Sequence, residues 1–162
     1  MSWRSAFLLQ ARSDFYARGV LNRQRVEYCH QLHYLQMASE KLAKGFLTAE
    51  SSSQPPLLTH AAFVRCLQVM KGRPDVRRLL NFSSGRAFVE YVESLLPLAE
   101  QVQRLAPSYA GLRGPNPEYP WQSTAQGSVV APAEFDFRQF EARSPQMNKL
   151  LRLMSDLLRV VS

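Results

Sequence analysis

Cysteine, histidine and long apolar runs are all scarce in this 162-residue chain. Two cysteines, Cys29 and Cys66, cannot make a disulfide framework; they read as small buried fillers in a reducing compartment. No stretch approaches the ~18–20 consecutive apolar residues that a membrane span needs. The opening from Met1 to Arg12 has no signal-peptide core, so a cytoplasmic location is expected. Neither a glycine-rich phosphate loop nor C-x-x-C nor G-x-S-x-G occurs. Of the three histidines, His30 and His33 have a spacing that can share a metal, but no third ligand accompanies them. No metal and no cofactor is therefore expected.

What is present describes an ordinary globular chain. Apolar residues make up 46% and charged residues 20%, which fits a single domain over residues 1–162. The net charge of +7 is unevenly placed. Residues 1–81 hold twelve Lys/Arg against five Asp/Glu, and residues 82–162 hold eight of each. The excess positive charge therefore sits in the first half and points to an anionic partner, RNA or a nucleotide.

Apolar spacing predicts an all-α, up-and-down helical bundle of four to five helices. The first helix is expected over Ser5 to Val20. A second, long helix is expected from an Asn22 cap to Phe46, with Tyr28, Leu32, Leu35, Leu42 and Phe46 facing Phe88, Tyr91, Val92 and Leu95. A third runs from His60 to Lys71 behind a Thr59 cap, followed by a short piece at Asp75 to Leu80. A fourth runs from Ser84 to Leu105, where Pro97 must kink or split it. The stretch 106–132 holds five of the ten prolines. It is expected to be an ordered loop held by Tyr109, Tyr119 and Trp121. A short helical piece over Glu134–Ala142 precedes a C-terminal helix, 145–161, capped by Ser144 and opened by Pro145. Its seam of Met147, Leu150, Met154, Leu157 and Val161 seeks a neighbour in the bundle or on a partner chain. Ser128 to Ala131 is the one β candidate.

In this helical projection the second helix also carries a basic strip. Arg23, His30, Lys41 and Lys44 fall opposite its apolar face, with His33 at the edge. The strip is expected to line an accessible groove and to bind phosphate.

The run from Tyr28 to Gly45 resembles the first long signature helix of HEPN (higher eukaryote and prokaryote nucleotide-binding) domains. Tyr34, Gln36, Ala38, Glu40, Lys41 and Lys44 carry the resemblance, and the Thr59-His60 pair and the helix with Ala11 and Phe15 are similar too. It covers about residues 5–105, and the run from Asn116 to Trp121 resembles the family more weakly. The resemblance implies a helical module that binds nucleotide or RNA in a defence or toxin–antitoxin type system. It also implies dimerisation and a nucleotidyltransferase or other protein partner.

Many HEPN proteins are metal-independent endoribonucleases with an R-x(4–6)-H motif. Arg25-x4-His30 and Arg23-x6-His30 match that spacing. This makes His30, Arg23 and Arg25 the catalytic candidates, and Lys41, Lys44 and His33 the candidates for binding nucleic acid or nucleotide. The sequence departs from the family in two ways: no histidine follows His60, and Leu32 stands where a tyrosine usually follows the His. The leading expectation is accordingly a binding or accessory module. The alternatives are an endoribonuclease toxin and a structural protein-interaction bundle.

Overall fold

The computed structural model describes residues 1–54, 60–110, 114–123, 127–141 and 144–160. The chain begins with α1 (Trp3–Arg23), a four-residue turn and α2 (Tyr28–Leu47). Then come α3 (Ala62–Lys71), α4 (Pro74–Leu79), α5 (Gly85–Glu93), α6 (Leu96–Gln103) and the single turn α7 (Pro107–Ala110). Two-residue strands β1 (Trp121–Gln122) and β2 (Val129–Val130) pair antiparallel, with Trp121 opposite Val130. Two 3-10 turns, Pro132–Glu134 and Arg138–Phe140, lead to α8 (Pro145–Val160). The architecture is an all-α bundle with a long loop.

Local chemistry sets the boundaries. Ser2 caps α1 by accepting the amide of Ser5 at 3.2 Å, and Ser144 caps α8 through the amide of Met147 at 3.1 Å. Pro97 stands at the start of α6 and divides the expected fourth helix into α5 and α6. Ala61 gives α3 no side-chain cap. Instead Gln103 of α6 reaches across, and its Oε1 accepts the amides of Phe63 and Val64, each at 3.1 Å. That satisfies two of the amides that have no partner within the first turn of the helix.

The second helix begins six residues later than the expected Asn22 cap, and the turn explains why. Val26 N–H donates to Leu21 O at 3.0 Å and Arg25 N–H to Asn22 O at 3.3 Å. This is the Schellman closure of a helix, with Arg25 at the left-handed position, φ +57°. Asn22 and Arg23 therefore belong to α1.

Helix α2 lies at the centre, packed chiefly on α1 and then on α3, α6 and α8. Leu32, Leu35 and Leu42 are fully buried, and Tyr28 and Phe46 pack against the same core. The expected neighbours Phe88, Val92 and Leu95 share that core, but α5 itself rests on α3 and α4. The seam Met147, Leu150, Met154 and Leu157 of α8 turns inward. Arg12 fixes the far end of α8, donating Nη2 to Leu158 O at 2.7 Å. Both cysteines are buried and free.

The loop is packed down by Trp121, which is 4% exposed and stacked edge-on against Phe135 at 4.9 Å. Tyr119, expected to help hold it, is exposed. Asn116 ties the approach instead, its buried Oδ1 accepting the amides of Glu118 and Tyr119. The helical piece expected at Glu134–Ala142 is two 3-10 turns, and Ala142 lies outside the described residues, as do Thr59, Val161 and the side chain of Tyr109. Among the described residues no helix is long and apolar enough to cross a membrane.

Candidate functional site: a basic cleft at the α1–α2 turn

The basic strip expected along α2 is not an open groove. Because α2 is covered on most of its faces, Lys41 is half-buried, Lys44 is buried, and both are paired. Lys41 Nζ lies 2.5 Å from Asp14 Oδ2, an ion pair between α2 and α1. Gln10 Nε2 donates to the other carboxylate oxygen at 2.9 Å. Lys44 is 6% exposed, with Nζ 2.6 Å from Glu40 Oε1, and it lies over the Phe7 ring. Glu40 also accepts from Gln36 Nε2 at 2.9 Å and meets His60 Nδ1 at 2.6 Å. Burial raises the Glu40 carboxyl's pKa, but bonds from Lys44, His60 and Gln36 outweigh it and hold the group below the ordinary carboxylate range. The residues Gln36, Glu40 and Lys44, which carry the family resemblance, thus form a closed structural network. A charge with this many internal partners has little left to offer a ligand.

The remaining candidates scatter. His33 Nδ1 faces Glu118 Oε2 at 3.6 Å. His30 is exposed on the first turn of α2, and Arg23 is exposed at the end of α1. Arg23 and His30 therefore do not share one helical face, since the turn at residues 24–27 separates their helices. Among the described residues no group of three His, Cys, Asp or Glu side chains is placed to hold a metal ion.

Arg25 belongs to a different site. Beside the turn lies an open cleft of about 630 Å³. Arg18 and Asn22 of α1 line it with Arg25, Tyr28 and Gln31 from the turn and α2, and Asn148 and Leu151 from α8. None of these residues is acidic. Arg18 is only 8% exposed, and its guanidinium has no hydrogen bond or ion pair among the described residues. Burial pulls its pKa down, opposed by the neighbouring Tyr28; a guanidinium nevertheless remains charged in proteins. Tyr28 is a wall rather than a donor, because its hydroxyl already donates to Phe140 O. Burial pushes that phenol's pKa up to about 12.

Gln31 completes the site. Its Nε2 donates to Val26 O at 2.9 Å, which fixes the carboxamide's orientation, since a flip would set two oxygens against each other. The other end, Oε1, is buried and has no partner among the described residues. The cleft thus presents a largely buried arginine, a second cation at its rim and, sealed behind its wall, an acceptor without a partner among the described residues. Such unmet groups are uncommon in folded proteins and call for an explanation.

Sequence reasoning named Arg25 and missed Arg18 and Gln31. Gln31 directly precedes Leu32 on a helix expected to be amphipathic, and Arg18 looked like one more surface arginine. No motif marks either. No family model, no curated protein and no solved structure matches the chain.

Proposed function

We propose that this chain is a HEPN-like helical module that binds a phosphate-bearing ligand, a nucleotide or RNA, through the cleft at the α1–α2 turn. The observation that carries this reading is Arg18, a largely buried residue lining the cleft whose guanidinium has no anionic partner among the described residues. Holding a charge this deep without a partner is costly, and an external anion would offset that cost. Arg25 at the rim adds a second donor, and Arg is the residue suited to bidentate phosphate recognition. The role as an accessory or partner-associated component of a defence or toxin–antitoxin type system rests on the resemblance of residues 5–105. So does pairing with a second copy, a nucleotidyltransferase or another protein.

The test is Arg18→Met, which keeps the buried stem and removes the charge. Inorganic phosphate and nucleoside monophosphates are titrated calorimetrically against both proteins over a range of salt. The wild type is expected to bind with an affinity that falls as salt rises. The variant is expected to lose binding while its thermal stability is unchanged or higher, because an uncompensated charge has gone. A variant that binds normally, or a wild type that binds neither ligand, refutes the reading.

A second reading, the metal-independent endoribonuclease, draws on the exposure of His30 and Arg25 close to one turn. An imidazole there is free to exchange protons with a ribose hydroxyl. Cleavage of total RNA in chelator by the wild type, abolished by His30→Ala, is the outcome that supports it.

A further inference from the structure

We infer that the outer faces of α1 and α8 together form a docking surface for an anionic lipid bilayer, met from one side and not crossed. The inference is independent of what fills the cleft. The two helices lie side by side and antiparallel. Arg12 of α1 donates to Leu158 O near the end of α8, while Arg18 and Asn22, further along α1, share the cleft with Leu151 and Asn148 near the start of α8. Helix α1 has 21 residues and is about 30 Å long. On its outer side Leu9 is 54% and Tyr16 69% exposed, and Trp3 is exposed at its start. Leu9 and Tyr16 are two turns apart, so they stand in one row about 10 Å from each other. Arg23, also exposed, continues that row by two more turns.

The charge on this side has one sign. Asp14 is the only acid of α1, and it is buried against Lys41 of α2. On α8, Lys149, Arg152 and Arg159 are exposed, and the only acid, Asp156, is tied to Arg159 at 3.0 Å and faces Arg152 at 4.0 Å. The exposed carboxylates Asp75, Glu90, Glu93 and Glu100 stand on α4, α5 and α6 instead. Cations attract any polyanion, but Leu9 gains only by leaving water. An anionic bilayer offers both gains at once. Its headgroups draw arginine and lysine, its interface accepts tryptophan and tyrosine, and its acyl boundary takes the leucine. A nucleic acid would neutralise the same cations and leave Leu9 unanswered. A partner protein would need a contiguous apolar centre, whereas these side chains are separated by serine and arginine.

The experiment is co-sedimentation of the full chain with vesicles of phosphatidylcholine alone and of equal parts phosphatidylcholine and phosphatidylglycerol. The protein is expected to sediment with the mixed vesicles, to stay in solution with phosphatidylcholine, and to be released as salt rises. Leu9→Ser with Tyr16→Ser is expected to weaken binding to the mixed vesicles about 10-fold and, because both positions are exposed, to leave thermal unfolding unchanged. Arg23→Glu with Arg152→Glu is expected to abolish the preference for phosphatidylglycerol. Arg18→Met, which alters only the cleft, is expected to bind vesicles as the wild type does. No sedimentation of the wild type with mixed vesicles overturns the inference and leaves the cleft reading standing. Sedimentation that survives the paired serine substitutions overturns the role of the α1 face. Loss of sedimentation in Arg18→Met moves the attachment to a headgroup in the cleft and overturns it as well. Binding of single-stranded RNA that the paired glutamate substitutions abolish, without vesicle binding, gives the face to nucleic acid instead.

Discussion

His60 Nδ1 lies 2.6 Å from Oε2 of Glu40, and that contact joins the approach to α3 to the middle of α2. The other oxygen of the same carboxylate holds Lys44 at 2.6 Å. One buried side chain thus serves two segments of chain, with three partners in Gln36, Lys44 and His60.

Glu40 should make the fold acid-sensitive. Its folded pKa lies below the ordinary 4.5. Its contribution is therefore complete above the unfolded value and is lost as pH falls through the folded one. Glu40→Gln strands the Lys44 ammonium and is expected to cost roughly 3–5 kcal/mol at neutral pH. Urea unfolding at pH 7 and pH 3 checks both statements: the variant should be weaker at pH 7 and should lose less than the wild type on acidification. An unchanged midpoint at pH 7 counts against the network.

Gly45 should resist replacement. A Cβ there would stand 2.7 Å from Leu8 Cγ, 2.8 Å from its Cδ2 and 3.3 Å from the Arg4 carbonyl oxygen. Alanine would gain about 1 kcal/mol in helix propensity. Overpacking costs about 1–3 kcal/mol, and Leu8 is buried with little room to retreat, so destabilisation wins. Denaturant midpoints of Gly45→Ala, alone and combined with Leu8→Ala, should show the cost of Gly45→Ala shrinking once Leu8 is shortened.

Arg25→Gly should stabilise the protein and weaken its binding of phosphate. The left-handed conformation at φ +57° costs a non-glycine residue about 1 kcal/mol, and glycine removes that cost. Thermal unfolding and phosphate titration on the same sample read the two effects separately. A less stable variant would show that the arginine side chain supports the turn.

Trp121 should report an ordered loop. With Trp3→Phe the chain keeps a single tryptophan, 4% exposed among Phe135 and Phe137. Its emission should be at short wavelength and poorly quenched by acrylamide, shifting red on unfolding. Red emission in the native protein would mean that the loop is not packed.

The helices were legible because their signals are local. Period-3.6 spacing marked Leu32, Leu35 and Leu42, Ser144-Pro145 marked the start of α8, and Pro97 marked the break between α5 and α6. The α1–α2 turn was hidden because its left-handed residue is an arginine rather than the glycine that normally announces such a stop. That single substitution put Asn22 and Arg23 on the wrong helix and created the strip that the fold does not have. The burial of Lys44 and Glu40 was illegible for another reason. Charge predicts exposure unless partners are known, and His60, which meets Glu40, comes from elsewhere in the chain, as Asp14 does for Lys41. Arg18 and Gln31 Oε1 stand out only by having no partner among the described residues, which no spacing records.

The walls of the cleft also have a history in time. Arg18, Arg25 and Gln31 belong to a hairpin whose contacts are local in sequence, whereas Asn148 and Leu151 arrive with the last helix. A hairpin of neighbouring helices can close early, while α8 docks only after more than a hundred further residues have been made. A growing chain therefore has the arginines long before it has the cleft. A ligand held there joins two parts of the chain made more than a hundred residues apart, and its binding reports that α8 has docked.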